Sequence, residues 1–161
     1  MGGKGRPAYP VAMDAAAAGA AVLMAVLNEA VRDFQSYGYA QFLAHQDAVR
    51  PRYGGIMPPA VEAHLSVGVS FDLVGEEWRG DRREARVDVV VDLRDGVFVV
   101  TGEAGADPDP GDGDELWEVL RELPEVEARD LDECVALIRD YTARLCAYTD
   151  FLDDLGAPRT P

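Results

Sequence analysis

From Val61 to Leu73 every odd-numbered position is apolar: Val61, Ala63, Leu65, Val67, Val69, Phe71 and Leu73. Between them stand Glu62, His64, Ser66, Gly68, Ser70 and Asp72. Side chains on a strand alternate between its two faces, so this pattern predicts a strand with one buried face. Ala85, Val87, Val89, Val91 and Leu93 repeat the pattern against Glu84, Arg86, Asp88 and Asp92. Trp78, Arg79 and Gly80 lie between the two runs. A three-residue hairpin loop wants a left-handed residue at its third position, and Gly80 supplies one. That turn would pair Glu77 with Asp81 and Leu73 with Ala85, leaving both apolar sets on one face.

Asp95-Gly96 is the strongest short signal for a two-residue hairpin turn. It predicts pairing of Arg94 with Val97, Leu93 with Phe98 and Val91 with Val100. The buried face would then continue through Phe98 and Val100. Val97 and Val99 fall on the other face beside Val90, among Arg86, Asp88, Asp92 and Arg94. Three apolar residues there predict partial cover of that face by a helix or a partner.

Helical spacing flanks this sheet. Asp14 is placed to cap a long first helix, because a carboxylate can accept from the free N–H groups of a first turn. Val22, Leu23, Val26, Leu27, Ala30, Val31 and Phe34 recur at three and four residues and form a buried stripe. Gly38 suggests a kink, and Tyr39, Phe42 and Leu43 suggest continuation toward Val49. Pro51, Gly54, Gly55, Pro58 and Pro59 predict a loop. Asp130 opens a last helix, with Glu133 as its capping-box partner. Leu131, Cys134, Val135, Ile138, Tyr141, Leu145, Tyr148, Leu152 and Leu155 give that helix an apolar stripe ending at Gly156 and Pro158.

Residues 103–115 read EAGADPDPGDGDE, a Pro/Gly/Asp loop. Leu116, Val119, Leu120 and Leu123 follow at i, i+3, i+4 and i+7, which predicts a short helix stopped by Pro124; a fourth strand is the alternative. The expected fold is therefore α+β: an antiparallel three-stranded meander, four-stranded on the alternative, packed against long N- and C-terminal helices. Residues 11–156 would form one domain between an N-terminal tail (1–10) and a short C-terminal tail (157–161).

Charge changes what this domain can bind. The chain has 161 residues and a formal net charge of −15. Residues 1–102 hold 13 acids and 10 bases, and residues 103–161 hold 17 acids and 5 bases. A surface of that sign disfavours nucleic acid and anionic lipid, which both need basic contacts. Charged residues at 28% and hydrophobic residues at 48% are ordinary for a globular chain, which argues against general disorder. Lys4 is the one lysine; with Arg supplying the other bases and Ala, Gly, Asp and Val abundant, a GC-rich bacterial source is expected. Ala15 to Leu27 carries no charge, and Lys4 and Arg6 precede it. The run is shorter than the ~20 residues of a membrane helix, and no small-x-small cleavage site follows, so a cytoplasmic protein is expected. Cys134 and Cys146 lie twelve residues apart in one expected helix. A rise of ~1.5 Å per residue separates them by ~18 Å, beyond disulfide reach.

Candidate chemistry is sparse. Asp107, Asp109 and Glu118 suggest a calcium loop, but the fifth and sixth places hold Gly111 and Asp112, where an oxygen ligand and a glycine are needed. His45 and His64 are the only histidines, too few for a zinc site without further ligands. No nucleophile elbow or phosphate-cradling glycine loop occurs. No metal or cofactor is expected. The strongest contact candidates are Trp78, Arg79, Arg82, Arg83 and Arg86 at the first hairpin, since Trp and Arg are enriched in interface hot spots. Val97 and Val99 on the outer sheet face join them. So do Asp150, Asp153 and Asp154, acids at a helix C-terminus where the dipole opposes them. The expected function is a non-enzymatic, acidic protein-binding module: an adaptor, an immunity-type inhibitor or a component of a larger assembly. The partner would be another protein, or a second copy met through the Ala-rich first helix or the outer sheet face. One alternative is a small-molecule enzyme or carrier with a pocket near His45 and His64. The other is a nucleic-acid mimic.

Overall fold

The computed structural model describes residues 11–53, 64–74, 83–107 and 117–161. Their order is α1 (Val11–Ala44), β1 (Val49–Tyr53), β2 (His64–Leu73), β3 (Arg83–Arg94), β4 (Val97–Ala106), β5 (Glu118–Ala128), α2 (Leu131–Cys146) and α3 (Phe151–Asp154). The five strands form one antiparallel meander in sequence order. The fold is α+β, with five strands in place of the expected three or four. The anticipated N-terminal tail and the hairpin tip with Trp78, Arg79 and Arg82 lie outside the described residues.

The alternating segments become β2 and β3 with the expected faces. Val67, Val69, Phe71, Leu73, Ala85, Val87, Val89 and Val91 are buried, while Leu65 is half-buried and Leu93 is exposed. The register differs by two residues: Phe71, not Leu73, pairs with Ala85, and Leu73 pairs with Arg83. A two-residue slip preserves which face each side chain takes, so the core is unaffected. The β3–β4 turn follows expectation. Asp95 (φ 51°) and Gly96 (φ 82°) are both left-handed, and Arg94–Val97, Leu93–Phe98 and Val91–Val100 are paired.

Two strands replace expected loop or helix. β1 forms where the Pro51 loop was anticipated, and pairs with β2 from Val49–Leu73 to Tyr53–Val69. It is an edge strand, where proline's missing N–H is tolerated. β5 replaces the short helix of 116–123 and runs through Pro124 to Ala128. β4 also extends to Ala106, into the segment expected to be loop. Its register with β5 breaks between Val100 and Gly102 and again between Ala104 and Gly105. Val100 pairs with Val126 but Gly102 with Leu123, so one extra β5 residue is absorbed there. The bulge spaces the apolar residues Leu120, Leu123 and Val126 by three, and that spacing imitates a helix.

The helices cover the face made by odd residues of β2 and β3 and even residues of β4. α1 starts at Val11, so Asp14 lies inside it and does not cap it; it is continuous through Gly38 and ends at Ala44. Val26, Leu27, Ala30 and Phe34 from α1 meet Cys134, Ile138, Tyr141 and Leu145 from α2 in one core with the sheet. Phe34, Phe71 and Phe151 are completely buried, each contributing roughly 2–3 kcal/mol of transfer free energy. Asp130 caps α2 as expected, its carboxylate accepting from Glu133 N–H. Glu133 reaches back to Arg129 N–H, one residue before the capping-box position.

The last helix is not continuous. α2 stops at Cys146 and α3 begins at Phe151. The carbonyls freed by the break have partners on α1: Tyr37 Oη donates to Tyr148 O at 2.8 Å, and Gln41 Nε2 to Thr149 O at 2.7 Å. Gly156 (φ 76°) then closes α3, and Ala157 N–H returns to Leu152 C=O. Residues 157–161 are tied to the end of α1. Thr160 N–H donates to Ala44 C=O, and Gln46 N–H donates to Thr160 Oγ1.

Candidate functional site

With both long helices on one side of the sheet, no helix among the described residues lies on the other face. Even residues of β2 and β3 and odd residues of β4 point to it. Most of its charges are engaged across strands. Arg52 contacts Asp72 and Glu84. His64 Nδ1 donates to Asp92 Oδ1 at 2.7 Å. Arg94 joins Asp92 to Glu125 at 2.8 and 3.0 Å. Burial works against ionised Asp92, but hydrogen bonds from Arg94 and His64 prevail and hold its carboxyl below the ordinary range.

Two rows depart from this pattern: Asp72 on β2 pairs in register with Glu84 on β3, with Arg52 bridging the two, and a second row lies further along the sheet. Asp88 on β3 pairs in register with Glu103 on β4, and Glu103 with Glu122 on β5. Three carboxylates therefore sit side by side across three strands, and like charges directly opposite each other are destabilising. Arg86 alone bridges part of the row, with Nε 3.2 Å from Asp88 and an Nη 3.5 Å from Glu103. Glu122 is exposed, and no described residue pairs with it. Asp88 is buried, and burial pushes its carboxyl above the usual range against the pull of Arg86 and Ser66. Ser66 Oγ donates to it at 2.9 Å. The strand next to it carries Gly68, whose missing Cβ makes room: an added one would lie 2.2 Å from Val87 O and 2.5 Å from Asp88 Cβ.

Trp117 flanks the row at the neighbouring Arg86–Gly105 pair. Its ring lies 4.7 Å from the Arg86 guanidinium, a cation–π contact, and it packs on Gly105, where an added Cβ would fall 2.5 Å from Nε1. Trp117 Nε1 is buried without an acceptor among the described residues. Sequence reasoning did not single out Asp88, Glu103, Glu122 or Trp117. Finding the row required the β4–β5 register, which the helical spacing of 116–123 concealed.

The sequence candidates scatter over the molecule. Arg86 belongs to the bare face. Val97 is 36% exposed there, whereas Val99 is 2% exposed, already covered and closed to a partner. Arg83 is buried on the opposite parity, its Nε donating to Asp107 O at 2.6 Å and an Nη to Glu118 at 3.3 Å. Asp153 is hydrogen-bonded by Arg159, which holds its carboxyl below the ordinary range, and Asp154 accepts from Tyr148 Oη. Asp150 is exposed, 3.8 Å from Arg159. Asp150 and Asp153 fasten the C-terminal segment through Arg159, and Asp154 ties α3 to Tyr148.

The two histidines do not share a cavity. His45 is 1% exposed at the end of α1, and its Nδ1 donates to Pro158 O at 3.1 Å. His64 is exposed on the other side of the sheet. Two surface depressions contain neither. One of about 320 Å³ lies by Val97, Phe98 and Glu127; one of about 190 Å³ lies between α1 and α2 by Glu29, Asp33 and Arg139. Cys134 and Cys146 are free, and burial pushes their thiols up to about 11 and about 12, so both are protonated at neutral pH. No protein-family model, curated protein or solved structure matches the chain.

Proposed function

We propose that the chain is an acidic protein-binding module whose helix-free sheet face receives basic side chains of a partner protein. The cross-strand row of Asp88, Glu103 and Glu122 carries this reading. A sheet under selection for stability alone sets opposite signs across strands or a cation between like ones, as Arg52 stands between Asp72 and Glu84, whereas Glu122 has no cation among the described residues. Carboxylates kept in register against that preference gain a counter-charge when Lys or Arg side chains arrive. Trp117, beside the row, offers apolar area for the stems of those side chains. Arg86 already shows the geometry such a guest would copy, stacked on Trp117 and forked between two carboxylates.

A lysine-rich peptide tests the proposal. Glu103→Gln with Glu122→Gln removes two charges from the row; Asp132→Asn with Asp140→Asn removes two from α2. Fluorescence anisotropy should show at least about a tenfold loss of affinity for the first pair. The second should bind almost as the unmodified chain does. Equal losses from both pairs would mean that general acidity, not this face, binds the peptide.

A further inference from the structure

The N-terminal half of α1 presents a second surface, on a different element from the sheet face. Ala15–Ala25 has no charged residue; nine of these eleven are exposed, with only Gly19 and Leu23 part-buried. From Ala15 on, the first buried residue of the helix is Val26. Ala15, Ala16, Ala17 and Ala18 are all exposed. Consecutive helical residues point ~100° apart, so the described residues leave the helix there uncovered on every side. Gly19 faces Leu131 at the start of α2, and an added Cβ would be 3.4 Å from it. A helix that is apolar all round is ordinarily a buried one.

We infer that a second copy of this chain covers this arm, the two arms lying antiparallel. A covering surface must itself lack charge, because a charge buried against alanines would be left unpaired at a cost of several kcal/mol. In a chain of net charge −15, the longest uncharged exposed run among the described residues is the arm itself. Alanine also lets helix axes approach to the short end of the ~8–10 Å range. A two-fold pair needs only one self-complementary patch. The bodies decide the direction. Antiparallel arms hold the two −15 bodies at opposite ends of a seam of eleven residues, ~16 Å long. That is about twice the ~8 Å Debye length at physiological salt, whereas parallel arms would press the bodies together. Opposed helix dipoles favour the same direction.

A bilayer fits less well. By length and composition α1 is a helix able to cross a membrane, but its second half is built into the core. The uncharged run Ala15–Leu27 spans only ~20 Å of a ~30 Å hydrocarbon layer. Arm against arm lies at or below the ~1,200 Å² lower bound of specific interfaces, so the pair should dissociate in the micromolar range.

Sedimentation velocity and light scattering on the full chain, from about 1 to about 200 μM, should show 17.4 kDa rising toward twice that mass. Ala21→Glu, at an exposed position, should move the transition at least about tenfold higher in concentration while the dilute protein melts unchanged. Orientation is read by oxidation in a Cys146→Ser background. Ala20→Cys, at the middle of the arm, should link two copies; Ala25→Cys should not, its two positions being ~15 Å apart along an antiparallel pair. A constant 17.4 kDa overturns the inference, as does a monomer that floats with neutral phosphatidylcholine vesicles. Equally fast linking at both positions overturns the antiparallel arrangement.

Discussion

Asp88 shows at the scale of one residue how the bare face departs from a surface built for stability. It is buried, and burial raises its carboxyl above the usual range. The folded state therefore holds the proton more tightly than the unfolded chain does. The stability contributed by this group is complete below the ordinary carboxylate pKa and is lost as pH rises through the folded value. Asp88→Asn stays neutral throughout, so it should resist urea at pH 7 better than the unmodified chain. The advantage should vanish toward pH 3 to 4, about the ordinary carboxylate value. Urea midpoints across that range measure it. A weaker variant at pH 7 would mean that the ion pair with Arg86 outweighs the burial cost. None of this was visible in the sequence, where Asp88 is one polar position in an alternating run. By contrast the Asp95-Gly96 turn was fully legible, because only residues tolerant of positive φ suit it.

At the scale of elements, legibility followed whether local pattern and tertiary register agreed. β2, β3 and the first half of β4 have unbroken alternation and a turn that fixes pairing. β5 has neither: its bulge turns period two into period three, and Pro124 looks like a terminator although an edge strand accepts it. β1 is only five residues long and was masked by Pro51. The break between α2 and α3 was hidden because the apolar stripe runs on across it, while the compensating donors, Tyr37 and Gln41, come from more than 100 residues away. The α2 N-terminus is the opposite case, written locally in Asp130 and Glu133. Asp130→Ala should cost about 1 kcal/mol, or about 2–4 °C in thermal midpoint for a chain of this size. Differential scanning calorimetry checks it; an unchanged midpoint would show that the cap contributes nothing measurable.

At the scale of the whole molecule, charge dominates. Thirty acids face fifteen Lys and Arg residues, so repulsion exceeds attraction in the compact state. Salt screens both, and the surplus sign decides the balance. Raising sodium chloride from about 10 mM to about 150 mM shortens the Debye length from ~30 Å to ~8 Å. The thermal midpoint should therefore rise over this range at pH 7. A fall would show that the ion pairs of the sheet face outweigh the net repulsion.

The strands follow one another in space in the order they follow in the chain, but α1 does not share that property. Its core-facing stripe is completed by α2 and α3, encoded about a hundred residues later. On a ribosome adding ~5–20 residues per second, the first helix emerges roughly 5–20 s before its cover exists. During that interval Val26, Leu27 and Phe34 join the alanine arm in open solvent. Nascent chains on one message would then meet through the least protected part of the molecule, so assembly and folding compete for the same segment during translation.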